Sequence, residues 1–425
     1  MKGKEIYELA KTIFPIYRSI TGEGVRKTLN CLQKECPVLQ IYEVPSSTKV
    51  FDWEVPLEWN ISGAYIENER GERVIDFANN NLHVVGYSHP INQWVTREEL
   101  ENYLYTQPEQ PDVVPYVTSY YSSRSGFCIS ENQKKQLSNG KYHLVIDSEF
   151  KKGSLTWGEI VLPGETTEEI CFSTNICHPG LGSNETSGPC VLTYLAKWLE
   201  KRERRYTYRF LFLPETIGSI TYISNHLEEM KKNIKAGFVV TCVGDDNAYS
   251  YVESRRGNTL ADRVLKQVLM YYAPVYKQYS FLYRGSDERQ YCAPGVDLPF
   301  CVFCRSKFHE YKEYHTSADN LDFISAEGMG NAFEVLKQVI LALEYNHKYK
   351  MTVLCEPQLG KRGLYPTISQ KGTYSDVKVL QNFIAYADGE NDLIDISNKL
   401  DVSIDKLIPI IEKLLKEQLI KITEN

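Results

Sequence analysis

The sequence predicts an α/β protein: a doubly wound mixed sheet with helices on both faces, interrupted by a small β-rich insert and followed by a helix-turn-helix tail. Three observations carry this. Near-continuous apolar runs such as EEICFSTNI, YRFLFLP, AGFVVTCVG and LPFCVFC alternate with amphipathic helical stretches between about 155 and 345, the pattern of strands buried on both faces by crossover helices. Residues 45 to 150 instead carry short alternating strands broken by Pro, Asn and Gly. The tail ISNKLDVSIDKLIPIIEKLLKEQLI has the rhythm of two helices joined by a tight turn.

Taken in order, ELAKTIFPIY and RSITGEGVRKTLNCLQKE read as two opening helices, the second started by Thr21 or Gly22. SGAYIENERGERVIDF and KYHLVIDSEF read as strands of the insert. EEICFSTNI then leads through a Gly-rich loop into the helix GPCVLTYLAKWLEKR. YRFLFLP leads into SITYISNHLEEMKK, AGFVVTCVG into TLADRVLKQVLMYY, and LPFCVFC precedes AEGMGNAFEVLKQVILALEY. YSDVKVLQNFIAYADG, DLIDISNKLD and SIDKLIPIIEKLLKEQ form three helices before the strand LIKIT, with Ser403 as an expected N-cap. The expected domains are therefore 1–45 and 156–350 as two parts of one α/β body, 46–155 as the insert, and 366–425 as the tail.

Composition narrows the function. The chain has 425 residues, 42% hydrophobic and 24% charged, ordinary for a globular protein. Lys and Arg number 48 against 55 Asp and Glu, a formal charge of −7, and no basic block appears, which disfavours nucleic-acid and anionic-membrane partners. MKGKEIYELAKTIF interleaves charges where a signal peptide needs an unbroken apolar stretch, and no apolar run reaches membrane-spanning length. The 11 Cys lack framework spacing, so a reducing cytoplasm is the expected location. The pair Cys301 and Cys304 lies on strand-like sequence and reads as core rather than as a zinc or redox motif.

Position then points to chemistry, because open α/β sheets bind ligands outside the carboxyl ends of their strands. His178 follows the first strand, Glu215 the second, Asp245 and Asp246 the third, and Glu313 and His315 the fourth. Imidazoles with carboxylates form the ligand set zinc takes in catalytic sites, and a carboxylate beside the metal-bound water serves as general base. Each residue also has a plainer reading. His178 sits in a Gly-rich turn, Glu215 can open a helix, Asp-Asp-Asn is ordinary turn chemistry, and His315 can cap a loop.

The segments CHPGLGSNETSGPCVLTYLA, FLPETIGS and EYHTSADNLDFI, in that order, resemble those of zinc-dependent aminopeptidases and glutamate-carboxypeptidase-like exopeptidases. TGEGVRKTL, GSDERQYCAPGVDLPF and EPQLGKRGLYP extend the likeness over nearly the whole chain. It resembles a bacterial family with an aminopeptidase-like domain, a small inserted domain and a C-terminal winged helix, often associated with polysaccharide biosynthesis. The resemblance implies a zinc-exopeptidase-like fold, His178 and His315 as the first and last histidine ligands, and Asp245 as the strand-end ligand. Glu215 falls where the peptidases carry two adjacent glutamates, one base and one ligand. Asn184 stands where they carry the aspartate that bridges two zinc ions, and an amide is a poor bridge between dications. One zinc, held by His178, Glu215, Asp245 and His315, is therefore expected, a second being the less favoured option.

The expected activity is metal-dependent amide hydrolysis on a small peptide or on an amide-bearing sugar or biosynthetic intermediate, with Glu215 as the catalytic base. The GSDERQY segment is expected to set specificity, Arg289 pairing with a carboxylate and Tyr291 contacting substrate. Trp94, Tyr120 and Tyr121 are candidates for an aromatic platform over the site, and Lys361 and Arg362 for an anionic substrate group. Two alternatives stand beside this reading: a degenerate ligand- or partner-binding protein, and a ligand-sensing regulator acting through the tail. From Tyr374 to Asn425 there are six Lys, no Arg and ten Asp or Glu. That acidic balance disfavours duplex DNA and favours dimerisation or a protein partner for the tail.

Overall fold

Four parallel strands form the centre of the larger sheet. In chain order its strands are β1 Gln40–Pro45, β2 Ser154–Leu162, β3 Glu169–Asn175, β4 Thr207–Leu213, β5 Ile234–Val240, β6 Ser250–Val252, β7 Lys277–Tyr279 and β8 Phe300–Cys304. They lie side by side as β1-β2-β4-β3-β5-β8-β6-β7. The pairs β4/β3, β3/β5 and β5/β8 are parallel, whereas β1/β2, β2/β4 and β8/β6 are antiparallel. The computed structural model describes residues 2–122, 124–364 and 373–423. They fall into two units, Met1–Ala261 with Lys277–Phe333, and Asp262–Tyr276 with Glu334–Asn425.

Every residue of β3 is buried, which is why its sequence is apolar without alternation. On one face Cys171 joins Leu211, Val239 and the Ile217, Ile220 and Ile223 side chains of the helix Ile217–Asn233. On the other, Phe172 stacks between Phe210 at 5.3 Å and Phe238 at 5.1 Å. The helix Ser187–Leu199 lies on that second face. It approaches so closely at Gly188 that a Cβ there would stand 2.3 Å from Thr174 Oγ1. Burying each such Leu or Phe is worth about 1.5–3 kcal/mol, so this two-sided packing fixes the strand ends from which the site is built. The sheet is mixed, with helices on both faces, as the apolar runs predict. Cys301 and Cys304 are buried on β8.

The insert is a four-stranded antiparallel sheet, ordered 73–76, 58–68, 141–151, 91–96. Ala64, Ile66, Ile75, Val95, Leu144 and Ile146 form its apolar face. Trp94, one residue out of phase with Val95, points away from that face: it is 53% exposed and stacks on His143 at 5.0 Å. A second part of the insert is latched to the loop after β8. Pro115 bridges Thr316, Tyr116 N–H donates to the His315 carbonyl at 2.8 Å, and Ser317 N–H donates to the Val114 carbonyl at 2.8 Å.

In the second unit, strands Lys348–Met351, Asp388–Asp392 and Ile420–Thr423 form a small sheet beside helices Thr373–Tyr386, Leu393–Leu400 and Ile404–Lys416. The first two strands, KYKM and DGEND, are short and charged and were not expected from the apolar pattern. Asp392 accepts the Asp395 N–H as the cap of one helix and pairs with Arg263 at 2.8 Å. Ser403 occupies the N-cap position of the next, but its side chain makes no capping hydrogen bond. Lys361 and Arg362 lie in a single 3-10 turn of this unit; the end of the linker they begin, 365–372, lies outside the described residues. Among the described residues no helix is long and apolar enough to cross a membrane.

Candidate active site

At the carboxyl ends of β3 and β4 the chain turns into a cavity of about 420 Å³ lined by Cys177, His178, Glu215, Thr216, Arg289 and His315 from the α/β body. The insert supplies Trp53, Tyr116, Thr118, Tyr120 and Tyr121. The structure thus brings His178, Glu215, His315 and Arg289 together, with the two expected tyrosines, and places Trp94 elsewhere.

His178 follows β3 by three residues and is 5% exposed. Its Nδ1 lies 2.6 Å from Glu185 Oε1 and 3.0 Å from Asn184 Oδ1. A carboxylate can only accept, so Nδ1 carries the proton. Nε2 is left on the cavity side, 3.6 Å from Glu215 Oε2. Glu185, fully buried, also accepts the backbone N–H groups of Cys177 and His178. Burial opposes its charge, but His178 and those donors hold its carboxyl below the usual range. The same pairing raises His178 to about 9 against the effect of burial. Arg18 supports this corner from beneath, donating through Nη2 to the His178 carbonyl at 2.9 Å and to Thr186 Oγ1 at 3.2 Å.

His315 closes the other side. Its ring stacks on Tyr314 at 3.9 Å, meets His178 at 5.2 Å and meets Tyr116 at 5.1 Å. Its Nε2 is buried without a hydrogen-bond partner, and burial depresses its basicity well below the ordinary value. An orphaned buried nitrogen is costly unless something binds it. Glu215, partly exposed, is pushed up to about 8 by burial, with His178 opposing and Asp287 adding to the rise.

Two expected site residues stand apart from the cavity. Asp245 is fully buried, and its oxygens accept from Ser306 Oγ at 2.7 Å, Asn247 N–H at 2.9 Å, Ser306 N–H at 3.1 Å and Ser183 Oγ at 3.4 Å. With these lone pairs engaged, it braces loops rather than facing the ligand space. Tyr291 is equally buried, its ring stacked on Phe300 at 4.0 Å and its hydroxyl 2.9 Å from Ser173 Oγ; it is a core residue with no cavity surface to offer a substrate.

Sequence reasoning missed four supporting residues. Asp319, fully buried, accepts the N–H groups of Ser183 at 2.6 Å and Asn184 at 3.1 Å and so anchors the turn that carries Glu185. Asp287 accepts the Thr216 N–H at 2.8 Å. Tyr116 packs between both histidines, its hydroxyl 2.8 Å from that of Tyr120. Arg18 is the fourth. Asp319 and Asp287 lie inside segments already singled out, YHTSADN and GSDERQY, so their signal was present. Arg18 and Tyr116 carried none, since their roles come from contacts between distant parts of the chain.

Fold and cavity define an aminopeptidase-like protein. A zinc aminopeptidase from Bacillus subtilis shares the fold, with a TM-score of 0.58 at 12% identity over 80% of this chain and 94% of that one. The chain belongs to the family described as Domain of unknown function (DUF4910), which matches residues 7–346, and a winged helix-turn-helix domain follows at 347–422. It is 43% identical over 99% of its length to a Clostridium acetobutylicum protein, covering 96% of it. That protein is named provisionally for polysaccharide biosynthesis and an aminopeptidase-like domain. A crystal structure from Clostridium acetobutylicum, with a provisional peptidase designation, is 42% identical over 99% of this chain and 96% of that one, with a TM-score of 0.93.

Proposed function

We propose that the protein is a zinc-dependent amide hydrolase of the aminopeptidase type, acting on a small peptide or on an amide-bearing sugar or other biosynthetic intermediate. The observation that carries this is the convergence of His178 Nε2, Glu215 and the unpartnered His315 Nε2 on one cavity. Two imidazoles with a carboxylate beside them suit one zinc ion and its general base. His178 Nε2 and Glu215 stand 3.6 Å apart, while the three donor atoms together spread beyond 4.8 Å, so His315 must close in before one ion can be held. A two-metal site is not supported, because Asn184 brings no charge and Asp245 is hydrogen-bonded away from the cavity.

A tighter group exists among the described residues: ligand atoms of Cys177, His178 and Glu185 converge within 4.8 Å. Their atoms already serve one another, however. Glu185 takes two backbone N–H groups and the His178 ring N–H, and the Cys177 thiol, pushed well up by burial, accepts the Glu215 N–H at 3.2 Å. That group supports the cavity donors, which are spread wider.

When bound, zinc supplies a Lewis acid for the scissile carbonyl and an acidified water. His178 and His315 would hold the ion through Nε2, with Glu185 fixing the orientation of the first ring. A cation beside it would return Glu215 to its charged form, and Glu215 would then take the proton from the attacking water and return it to the leaving amine. The aromatic wall of Trp53, Tyr120 and Tyr121 would seat an apolar or ring-bearing group. The association of the Clostridium acetobutylicum relative with polysaccharide biosynthesis supports a sugar-linked amide among the candidates. Zinc content of protein purified without chelators, followed by an amide panel, tests the reading. About one zinc per chain and turnover lost in Glu215→Gln are expected; retained turnover in that variant overturns it.

Asn184 favours one second reading, a cavity that binds a ligand without hydrolysing it; turnover of any amide would dismiss that. We further propose a cytoplasmic protein, in keeping with eleven cysteines that lack framework spacing, with the acidic winged helix serving dimerisation or a protein contact rather than DNA.

A further inference from the structure

Thr216 carries φ 65° and ψ −75°, and the N–H of Ile217 donates to the carbonyl of Glu215 at 2.8 Å. This is the γ-turn of positive φ, a rare and strained form, and it is centred on a β-branched residue, for which such a φ is an outlier. Left to itself the turn would relax to negative φ and re-aim the residue before it, Glu215.

Two side chains of one segment grip it. Asp287 Oδ1 accepts the Thr216 N–H at 2.8 Å and the Ser219 hydroxyl at 2.9 Å. Arg289 donates from Nη2 to Thr216 Oγ1 at 2.9 Å and is itself fixed through Nε to the Ser286 carbonyl at 3.0 Å. Backbone and side chain of the same strained residue are therefore held at once. The holding loop is rigid in turn: Glu288 accepts the N–H groups of Gly285 at 2.7 Å and Ser286 at 3.0 Å. Asp287 is fully buried, so nothing in solvent competes for its acceptor.

We infer that Asp287 and Arg289 are positioning residues, a clamp that holds Thr216 in positive φ so that Glu215 faces His178. The GSDERQY segment then shapes the working carboxylate rather than reading the substrate through Arg289. The importance of this for catalysis rests on the hydrolase reading of Glu215; the clamp on the turn does not.

The test uses the full chain and two readouts, amide exchange of residues 214–220 and titration with zinc alone. Asp287→Ala should speed exchange there at least tenfold and weaken zinc binding about 10–100-fold, the usual range for loss of a supporting partner. Adding Thr216→Gly should recover most of the zinc affinity, because glycine takes positive φ without support; a merely structural role for Asp287 would show no such rescue. Arg289→Met, which removes the side-chain grip on Thr216 and leaves the Asp287 grip on its backbone, should move both readouts the same way by less. Should Asp287→Ala not fold, Arg289→Met with and without Thr216→Gly makes the same comparison. Unchanged exchange in the clamp variants, or failure of glycine to rescue, overturns the proposal. If the wild type takes up no zinc, the metal reading falls while the exchange result still decides the clamp.

Discussion

Glu185 and His178 share one proton-bearing contact, Nδ1 to Oε1 at 2.6 Å, and the carboxylate that makes it also takes two backbone N–H groups. With the Cys177 thiol, which donates to Oε1 at 3.4 Å, four donors converge on one buried carboxylate, and the ring they fix has only Nε2 left to offer the cavity. Glu185→Gln keeps an acceptor oxygen but turns an NH2 group toward one of those donors. A buried donor left unmatched costs about 1–3 kcal/mol, and a ring released from its carboxylate loses about 10–100-fold in metal affinity. Chemical denaturation and zinc titration of Glu185→Gln should show both losses together.

His315 predicts the opposite pattern. Its Nε2 makes no protein hydrogen bond, so replacing the ring by an apolar one of similar size removes no satisfied polar contact. His315→Phe should retain stability within about 1 kcal/mol, with the stacking on Tyr314 preserved, and should lose bound zinc. Metal content by atomic emission, read beside the melting temperature, checks this. A variant that keeps its zinc would show that His315 is not a donor.

Arg18 predicts a structural cost. It is 1% exposed, donates to the carbonyls of Ile13 at 2.8 Å and His178 at 2.9 Å, and its charge helps to lower the Glu185 carboxyl. Arg18→Met strips those acceptors and leaves Glu185 with only His178 for charge balance. A buried acceptor stripped of its donor typically costs about 1–3 kcal/mol. Urea unfolding should register a loss of that order, whereas Arg73→Met, at the exposed pair with Asp76, should change stability by less than about 1 kcal/mol.

The contrast between these residues explains how much of the site was legible in sequence. The alternation of apolar strands and helices placed β3, β4, β5 and β8 and the residues after each, because burial on both faces leaves a near-continuous apolar run that local reading can see. Position at strand ends picks out His178, Glu215 and His315, and the fold brings these three to one cavity. Asp245 shared that position and differs in outcome, because Ser183 and Ser306 reach its oxygens from loops about 60 residues away in the chain. Tyr291 shows the same limit: a tyrosine in a polar loop segment gave no sign that its ring would lie on Phe300. Strand ends are local information, whereas the direction of a side chain depends on partners that only the fold assembles.

Asp319 yields a prediction in pH. Burial raises its carboxyl to about 7, against the Ser183 and Asn184 N–H groups that favour its charged form, with Asp245 adding to the rise. The ordinary value is 3.8, so between roughly pH 4 and pH 7 the folded protein holds a proton that the unfolded chain has released. Stability follows the difference in bound protons between the unfolded and folded states. It should therefore fall as pH rises through this window and level off above it, by on the order of 4 kcal/mol from this group. Most paired carboxylates act in the opposite direction, so the wild-type profile alone would mix the two. Asp319→Asn isolates the effect: the amide cannot ionise, so the stability difference between variant and wild type should shift in favour of the variant from pH 5 to pH 8. Denaturant unfolding at those two pH values measures it. A difference that stays constant across the window would mean that Asp319 is already ionised in the folded protein at pH 5, held by Ser183, Asn184 and Tyr311 more strongly than burial opposes.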